Sequence, residues 1–269
     1  ASGVLNVGSL SVLTPAPCTY NTFTKDMQKY APILTNPGTP EYEAAMALKG
    51  NGTIQIDGTI IARDAISLAA KDVAINSGAR LLAGGNVSGS QVALNSMEQA
   101  DRLFNQLVKN SATSGESFQN VDGSIKIVSH GTRNDGVTIA EGADVKNLGK
   151  GNTQIESVGS GGVNIDGKVS NANGNTIIKS EQGININGSV NNSNGTLYLE
   201  NKSAGGIVIG KLAELTNNGI TRIKNAGSSG IRVLGSIFTK GGDTIVYNSN
   251  GGVNIESSGT IENTSHKLN

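Results

Sequence analysis

Six strings in the second half of the chain open on glycine and then alternate apolar with polar residues. They are GVTIAEG from Gly136, GVNIDG from Gly162, GININGS from Gly183, GIVIGK from Gly206, GIRVLGS from Gly230 and GVNIESS from Gly252. The leading glycines lie 26, 21, 23, 24 and 22 residues apart. Such a repeat constrains the fold strongly, because a unit this short cannot bury its apolar face alone and must stack on a neighbour of the same shape. Strict alternation is the strand signal. It puts Val163/Ile165, Ile184/Ile186, Ile207/Ile209, Ile231/Val233 and Val253/Ile255 on one face as a core stack. Asn164, Asn185, Val208, Arg232 and Asn254 fall on the other face.

Each unit continues in the same style. A second short strand reads Gly-x-aliphatic, as in Gly167-Lys168-Val169, Gly188-Ser189-Val190, Gly235-Ser236-Ile237 and Gly259-Thr260-Ile261. A third has inward pairs Thr153/Ile155, Thr176/Ile178, Leu197/Leu199, Thr221/Ile223 and Thr244/Val246. Runs such as NANGN and NNSNG separate the second strand from the third, and their residues tolerate left-handed and turn conformations. Three strands per unit of about 22 residues, with no intervening helix, predict an all-β right-handed parallel β-helix. Stacked asparagines are expected to bond to the copies above and below them.

The same text is less regular upstream. GTIQIDGTII at residues 52–61 offers Ile54, Ile56 and Ile60, and alternation runs on through Asn95, while SGVLNVGSLSV supplies Val4, Val7 and Leu10. Residues 1–95 therefore read as β-helix carrying an insertion at 21–50. Within that insertion TPEYEAAMALKG predicts a short helix, with Thr39 as N-cap, Pro40 in the first turn and Gly50 as the stop. Residues 96–125 read as a second insertion: an amphipathic helix over 96–110, then a return loop. Ser96 and Gln99 make a capping box, and Met97, Ala100, Phe104, Leu107 and Val108 form one stripe. Both insertions are expected to pack on the outside of the rod. Residues 126–265 are the regular repeats.

Charge excludes one class of partner. With 21 basic and 21 acidic residues the net charge is zero and no Lys/Arg block occurs, so no nucleic-acid partner is expected. No apolar run approaches the roughly 18 residues of a membrane span. Cys18 is alone, which precludes a disulfide within the chain. Ala1 is not an initiator Met and no signal peptide is legible, as expected of a processed or excised piece.

Catalytic, cofactor-binding and metal-binding residues are expected to be absent. Polysaccharide hydrolysis needs carboxylates converging on one face, whereas Asp57, Asp64, Asp72, Asp122, Asp135, Asp144, Asp166 and Asp243 are scattered singly. Asp57 and Asp166 share the place after a first strand. Asn187, Gly210, Gly235 and Ser257 fill it elsewhere, so a turn role is expected there. The densest polar run, SHGTRNDG, holds His130, Arg133 and Asp135 at a coil entry, where turn chemistry accounts for it.

The N-terminal text carries a resemblance. SGVLNVGSLSVLTP, through Gly3, Asn6, Val7, Gly8, Ser9 and Leu10, resembles the segment after the Asn-Pro-x-Gly-Ile motif of filamentous haemagglutinin-type secretion domains. GNGTIQIDGTIIARDAISLAAKDVAINSGARL is similar to the strand text of the same family, and the leukotoxin-like filamentous adhesins of Gram-negative anaerobes are nearest in style. The motif itself and the N-terminal cap are absent, so the matching text starts inside the secretion domain. The resemblance implies two-partner secretion through an outer-membrane transporter, folding outside the cell and residence at the bacterial surface. The expected function is a structural and adhesive segment of a large secreted filament, meeting a host or neighbouring cell surface. A delivery stalk of a secreted cytotoxin or contact-dependent toxin is the alternative, and a polysaccharide-degrading β-helix enzyme ranks third. Terminal coils expose strand edges, so end-to-end self-association is expected as well.

Overall fold

The structure is a computed structural model that describes residues 4–13, 53–84, 123–131 and 134–264. Every regular element among the described residues is a β-strand, and every strand pair is parallel. The two predicted helices, at 39–50 and 96–110, lie outside the described residues, as does most of both insertions.

The strands follow the predicted order. β1 (Val4–Leu13) is succeeded by β2 (Thr53–Ile56) and β3 (Thr59–Ala70), then by β4 (Asp72–Ile75), β5 (Arg80–Ala83) and β6 (Ser124–Ser129). The next two coils are β7 (Gly136–Ile139), β8 (Asp144–Asn147), β9 (Thr153–Ser157) and β10 (Gly162–Ile165), β11 (Lys168–Asn171), β12 (Thr176–Ser180). As in the coil of β2 and β3, the next two coils join their second and third strands into one: β13 (Ile184–Ile186) with β14 (Ser189–Asn201), and β15 (Gly206–Ile209) with β16 (Glu214–Asn225). The last are β17 (Gly230–Val233), β18 (Ser236–Thr239), β19 (Thr244–Asn248), then β20 (Val253–Ile255) and β21 (Thr260–Asn263).

All first strands form one sheet of eight, β2-β4-β7-β10-β13-β15-β17-β20. Second and third strands belong to one 13-stranded sheet, because the long strands β3, β14 and β16 bridge the two ladders. The result is a three-ladder parallel β-helix. Residues 14–52 separate β1 from β2 in the chain, and residues 84–123 separate β5 from β6, the second and third strands of one coil. β6 pairs with β3 and β9 in unbroken register. β1, which holds the resemblance text, pairs with β3 from Val4↔Thr59 to Leu13↔Ala69.

The interior is a column of Ile, Val and Leu. Of the predicted stack, Val163, Ile165, Ile184, Ile186, Ile207, Ile209, Ile231 and Val233 are buried. Val253 and Ile255 continue the column in register with Ile231 and Val233, yet they are 49% and 51% exposed. A β-helix interior residue is covered by the coils on both sides, and beyond β20 no described coil covers these two. Ile61 and Leu82 show the converse: by register they face outward, yet they are fully buried.

The leading glycines have a packing reason. A Cβ on Gly162, Gly206 or Gly230 would strike the carbonyl oxygen of Gly183, Gly230 or Gly252 respectively, in the coil above. Gly162 and Gly230 also have φ of 67° and 73°, which L side chains rarely adopt. Asparagine does not share that role here, since no described residue other than glycine has positive φ.

The corner asparagines instead satisfy backbone groups. Asn171, buried at the end of β11, accepts from the Gly174 amide at 3.1 Å and donates to the Asn175 carbonyl at 3.0 Å. Asn147 does the same one coil earlier with Gly149 and Gly151, both at 2.9 Å. Two buried polar columns follow. One contains Asn147, Asn171, Asn192, Asn217 and Thr239; the other runs Ser129, Ser157, Ser180, Asn201, Asn225, Asn248. The asparagine-to-asparagine bonds expected of the repeat are chiefly here: Asn192 Nδ2 to Asn217 Oδ1 at 3.0 Å, Asn201 Nδ2 to Asn225 Oδ1 at 2.8 Å and Asn225 Nδ2 to Asn248 Oδ1 at 2.7 Å. The outward Asn164 bonds locally, to the Gly161 carbonyl at 2.9 Å. Water satisfies an amide on the solvated face, whereas a buried amide must find a protein partner.

Candidate functional site

The third strands present the most differentiated outer surface. In β12, β14 and β16 the inward residues Ile178, Leu199 and Ile223 are buried, so alternation turns the residues between them to solvent. Register stacks Ile177, Tyr198 and Arg222 in one outward column, and Lys179, Glu200 and Lys224 in the next. Successive coils supply one residue each to both columns, at the strand spacing of about 4.8 Å.

Glu200 organises this patch. Its carboxylate accepts from Lys224 Nζ at 3.1 Å and lies 3.8 Å from Lys179 Nζ. The Tyr198 side chain shares this outward face of β14. Burial alone would raise the Glu200 pKa, but the bond from Lys224, the neighbouring Tyr198 hydroxyl and the charges of both lysines outweigh it and hold the carboxyl below its ordinary range. Burial, followed by the neighbouring Glu200 carboxylate, pushes the Tyr198 hydroxyl up to about 12. Tyr198 is therefore a neutral ring, with the Lys179 ammonium 5.7 Å from its centroid. A shallow cleft of about 310 Å³ lies alongside, lined by Asn175, Ile177, Thr196, Tyr198 and Arg222. Asn175 Oδ1 accepts from the Thr196 amide at 2.8 Å, which fixes its side chain at the rim.

No family model, curated protein or solved structure matches this chain.

The polar run singled out in the sequence has a structural role at its described positions. The His130 amide donates to the Ala70 carbonyl at 2.8 Å, continuing the ladder past β6. The buried Asp135 Oδ2 lies 3.7 Å from Lys71 Nζ, an ion pair longer than a hydrogen bond, and the Asp135 carbonyl accepts from the Gly161 amide at 3.1 Å. Arg133 lies outside the described residues. Asp57 and Asp166 accept from the asparagine one coil above, Asn76 Nδ2 at 2.6 Å and Asn187 Nδ2 at 2.8 Å, in the turn role expected of them. Register makes one correction to that column: Leu234 and Glu256, rather than Gly235 and Ser257, occupy the matching place, because β17 and β20 end at Val233 and Ile255. Among the described residues no group of three His, Cys, Asp or Glu is placed to hold a metal ion. No helix among them is long and apolar enough to cross a membrane.

The Tyr198 cleft was missed in the sequence because its residues are distant in the chain and unremarkable singly. A signal did exist. Stacking TIIKS, LYLEN and TRIKN brings Ile177, Tyr198 and Arg222 together, in a chain only 3% aromatic.

Proposed function

We propose that this chain is a rod segment of a large secreted bacterial surface filament, structural and adhesive in role, exported by a two-partner outer-membrane transporter. The observation that carries the reading is the continuity of the parallel ladders. First strands stack from β2 to β20 without a break, and β6 pairs with both β3 and β9 in unbroken register. A fold in which each coil templates the next suits a chain that emerges progressively and folds outside the cell. The resemblance text lies on β1, which pairs with β3.

For the isolated chain, the half-exposed interior residues Val253 and Ile255 in the coil of β20 and β21 support end-to-end self-association. The decisive experiment compares bacteria with and without the partner transporter, using antibody raised against the folded rod. Surface labelling that disappears with the transporter is expected. Equal labelling in its absence, or retention of the protein inside wild-type cells, would overturn the proposal.

A further inference from the structure

The Tyr198 cleft holds a charge that no described residue matches. Glu200 is shared between Lys179 and Lys224, but the side chain of the exposed Arg222 makes no hydrogen bond or ion pair with any described residue. Lining the cleft with it are the Tyr198 ring, the half-buried Ile177, and Asn175 and Thr196. The Asn175 carboxamide spends its oxygen on the Thr196 amide, which leaves its Nδ2 to donate outward.

We propose that this cleft is a binding subsite for a small carboxylate-bearing sugar. The carboxylate would lie against Arg222, whose planar fork matches two oxygens at once. The apolar C–H face of the sugar would lie over Tyr198 and Ile177, and its hydroxyls would meet Asn175 and Thr196.

Size and topology favour this ligand over a peptide. At about 310 Å³ the cleft sits at the bottom of the range of small-molecule sites, roughly 300–1,000 Å³, and suits one or two sugar rings. A peptide adding as an extra strand needs a free sheet edge. Here the strand edges of β12, β14 and β16 are all taken by neighbouring coils. The subsite rests on the adhesive reading only for its biological purpose; the geometry stands alone. One shallow contact predicts a dissociation constant on the order of 1 mM, raised to useful avidity by repetition along a filament.

The test uses the full chain and NMR-monitored titration with a glucuronate-containing disaccharide, its neutral glucose counterpart, its sulfated counterpart and a tri-glutamate peptide. The glucuronate sugar is expected to bind, with the other three at least about tenfold weaker. Arg222→Gln should weaken binding roughly 10- to 100-fold, the scale of a lost charge-assisted bond. Arg222→Lys should recover part of that loss. Tyr198→Ala, which removes the ring face, should weaken binding about tenfold, and Lys126→Gln, two coils below Ile177 in the same outward column, should have no effect. No binding at about ten times the expected constant would overturn the proposal, as would equal binding of the neutral sugar or insensitivity to Arg222→Gln. Preference for the sulfated sugar or the peptide would overturn the assignment of the ligand. None of these failures touches the filament reading, which is judged by transporter-dependent surface labelling.

Discussion

Replacing Asn225 by alanine should destabilise the rod far more than replacing an outward asparagine. The Asn225 side chain is fully buried and makes five bonds: to Asn248 Oδ1 at 2.7 Å, to the Gly227 carbonyl at 2.8 Å, to the Asn250 carbonyl at 3.5 Å, from Asn201 Nδ2 at 2.8 Å and from the Gly227 amide at 3.2 Å. Alanine removes all five. Asn201 Nδ2 keeps its bond to the Ala204 carbonyl at 2.9 Å, and Asn248 is only half buried, so water can replace its lost donor. Those two losses should cost about 1–2 kcal/mol together, at the usual net value of a neutral hydrogen bond. The buried Gly227 amide has no such recourse, and stranding it adds about 1–3 kcal/mol. The expected total is about 2–5 kcal/mol. Asn164→Ala removes one bond, to the Gly161 carbonyl, at a half-buried position and should cost about 0.5–1 kcal/mol. Urea unfolding followed by far-ultraviolet circular dichroism measures both, provided the slopes agree. Asn225→Ser should fall between them. Serine already stands in this column at Ser180, where its Oγ accepts from the Gln182 and Gly183 amides, both at 3.1 Å. If Asn225→Ala came within about 1 kcal/mol of Asn164→Ala, the buried ladder would not have the role assigned to it.

Four further outcomes are expected. Gly230→Ala forces a side chain into positive φ and against the Gly252 carbonyl, so it should cost about 2 kcal/mol or more; Gly252→Ala, one coil on, meets nothing within 4 Å and should be neutral by the same urea assay. Glu200 has a folded pKa below its ordinary 4.5, so the stability it contributes is complete above that pH and fades as pH falls below it; Glu200→Gln should flatten this acid limb of the stability profile. Tyr198 works in the opposite direction: the fold holds its proton more tightly, so stability should fall as pH rises from 10.0 toward about 12, and Tyr198→Phe should remove that component. Val253→Asp should abolish concentration-dependent growth in light scattering by the isolated chain, and parental behaviour that is monomeric at all concentrations would refute end-to-end association.

Much of the fold was legible because a β-helix writes its geometry locally. Each Val-x-Ile or Ile-x-Ile after a leading glycine is a strand whose inward residues are spaced by two, and eight of the ten residues of the predicted stack are buried. Val253 and Ile255 escaped because burial here depends on having a coil on both sides, which no local pattern reports. The asparagines were harder. The sequence shows that Asn recurs near corners but not which copies face inward. That depends on parity within the strand: Asn171 and Asn201 fall on the buried phase, while Asn164 and Asn185 fall on the solvent phase. The Tyr198 cleft was least legible. Its residues are brought together only by register between coils of unequal length, with Tyr198 lying 21 residues from Ile177 and 24 from Arg222.

The stacked ladder itself is tested most directly by distances between spin labels on the outward column of the first sheet. In a chain carrying Cys18→Ser, Thr138 is paired through Asn164, Asn185, Val208 and Arg232 to Asn254, each one coil beyond the last. Labels at Thr138 and Arg232 should lie about 19 Å apart, and labels at Thr138 and Asn254 about 24 Å apart, in narrow distributions growing by about 4.8 Å per coil. Distances that do not rise in this even step, or that spread broadly, would contradict the parallel β-helix and every proposal resting on it.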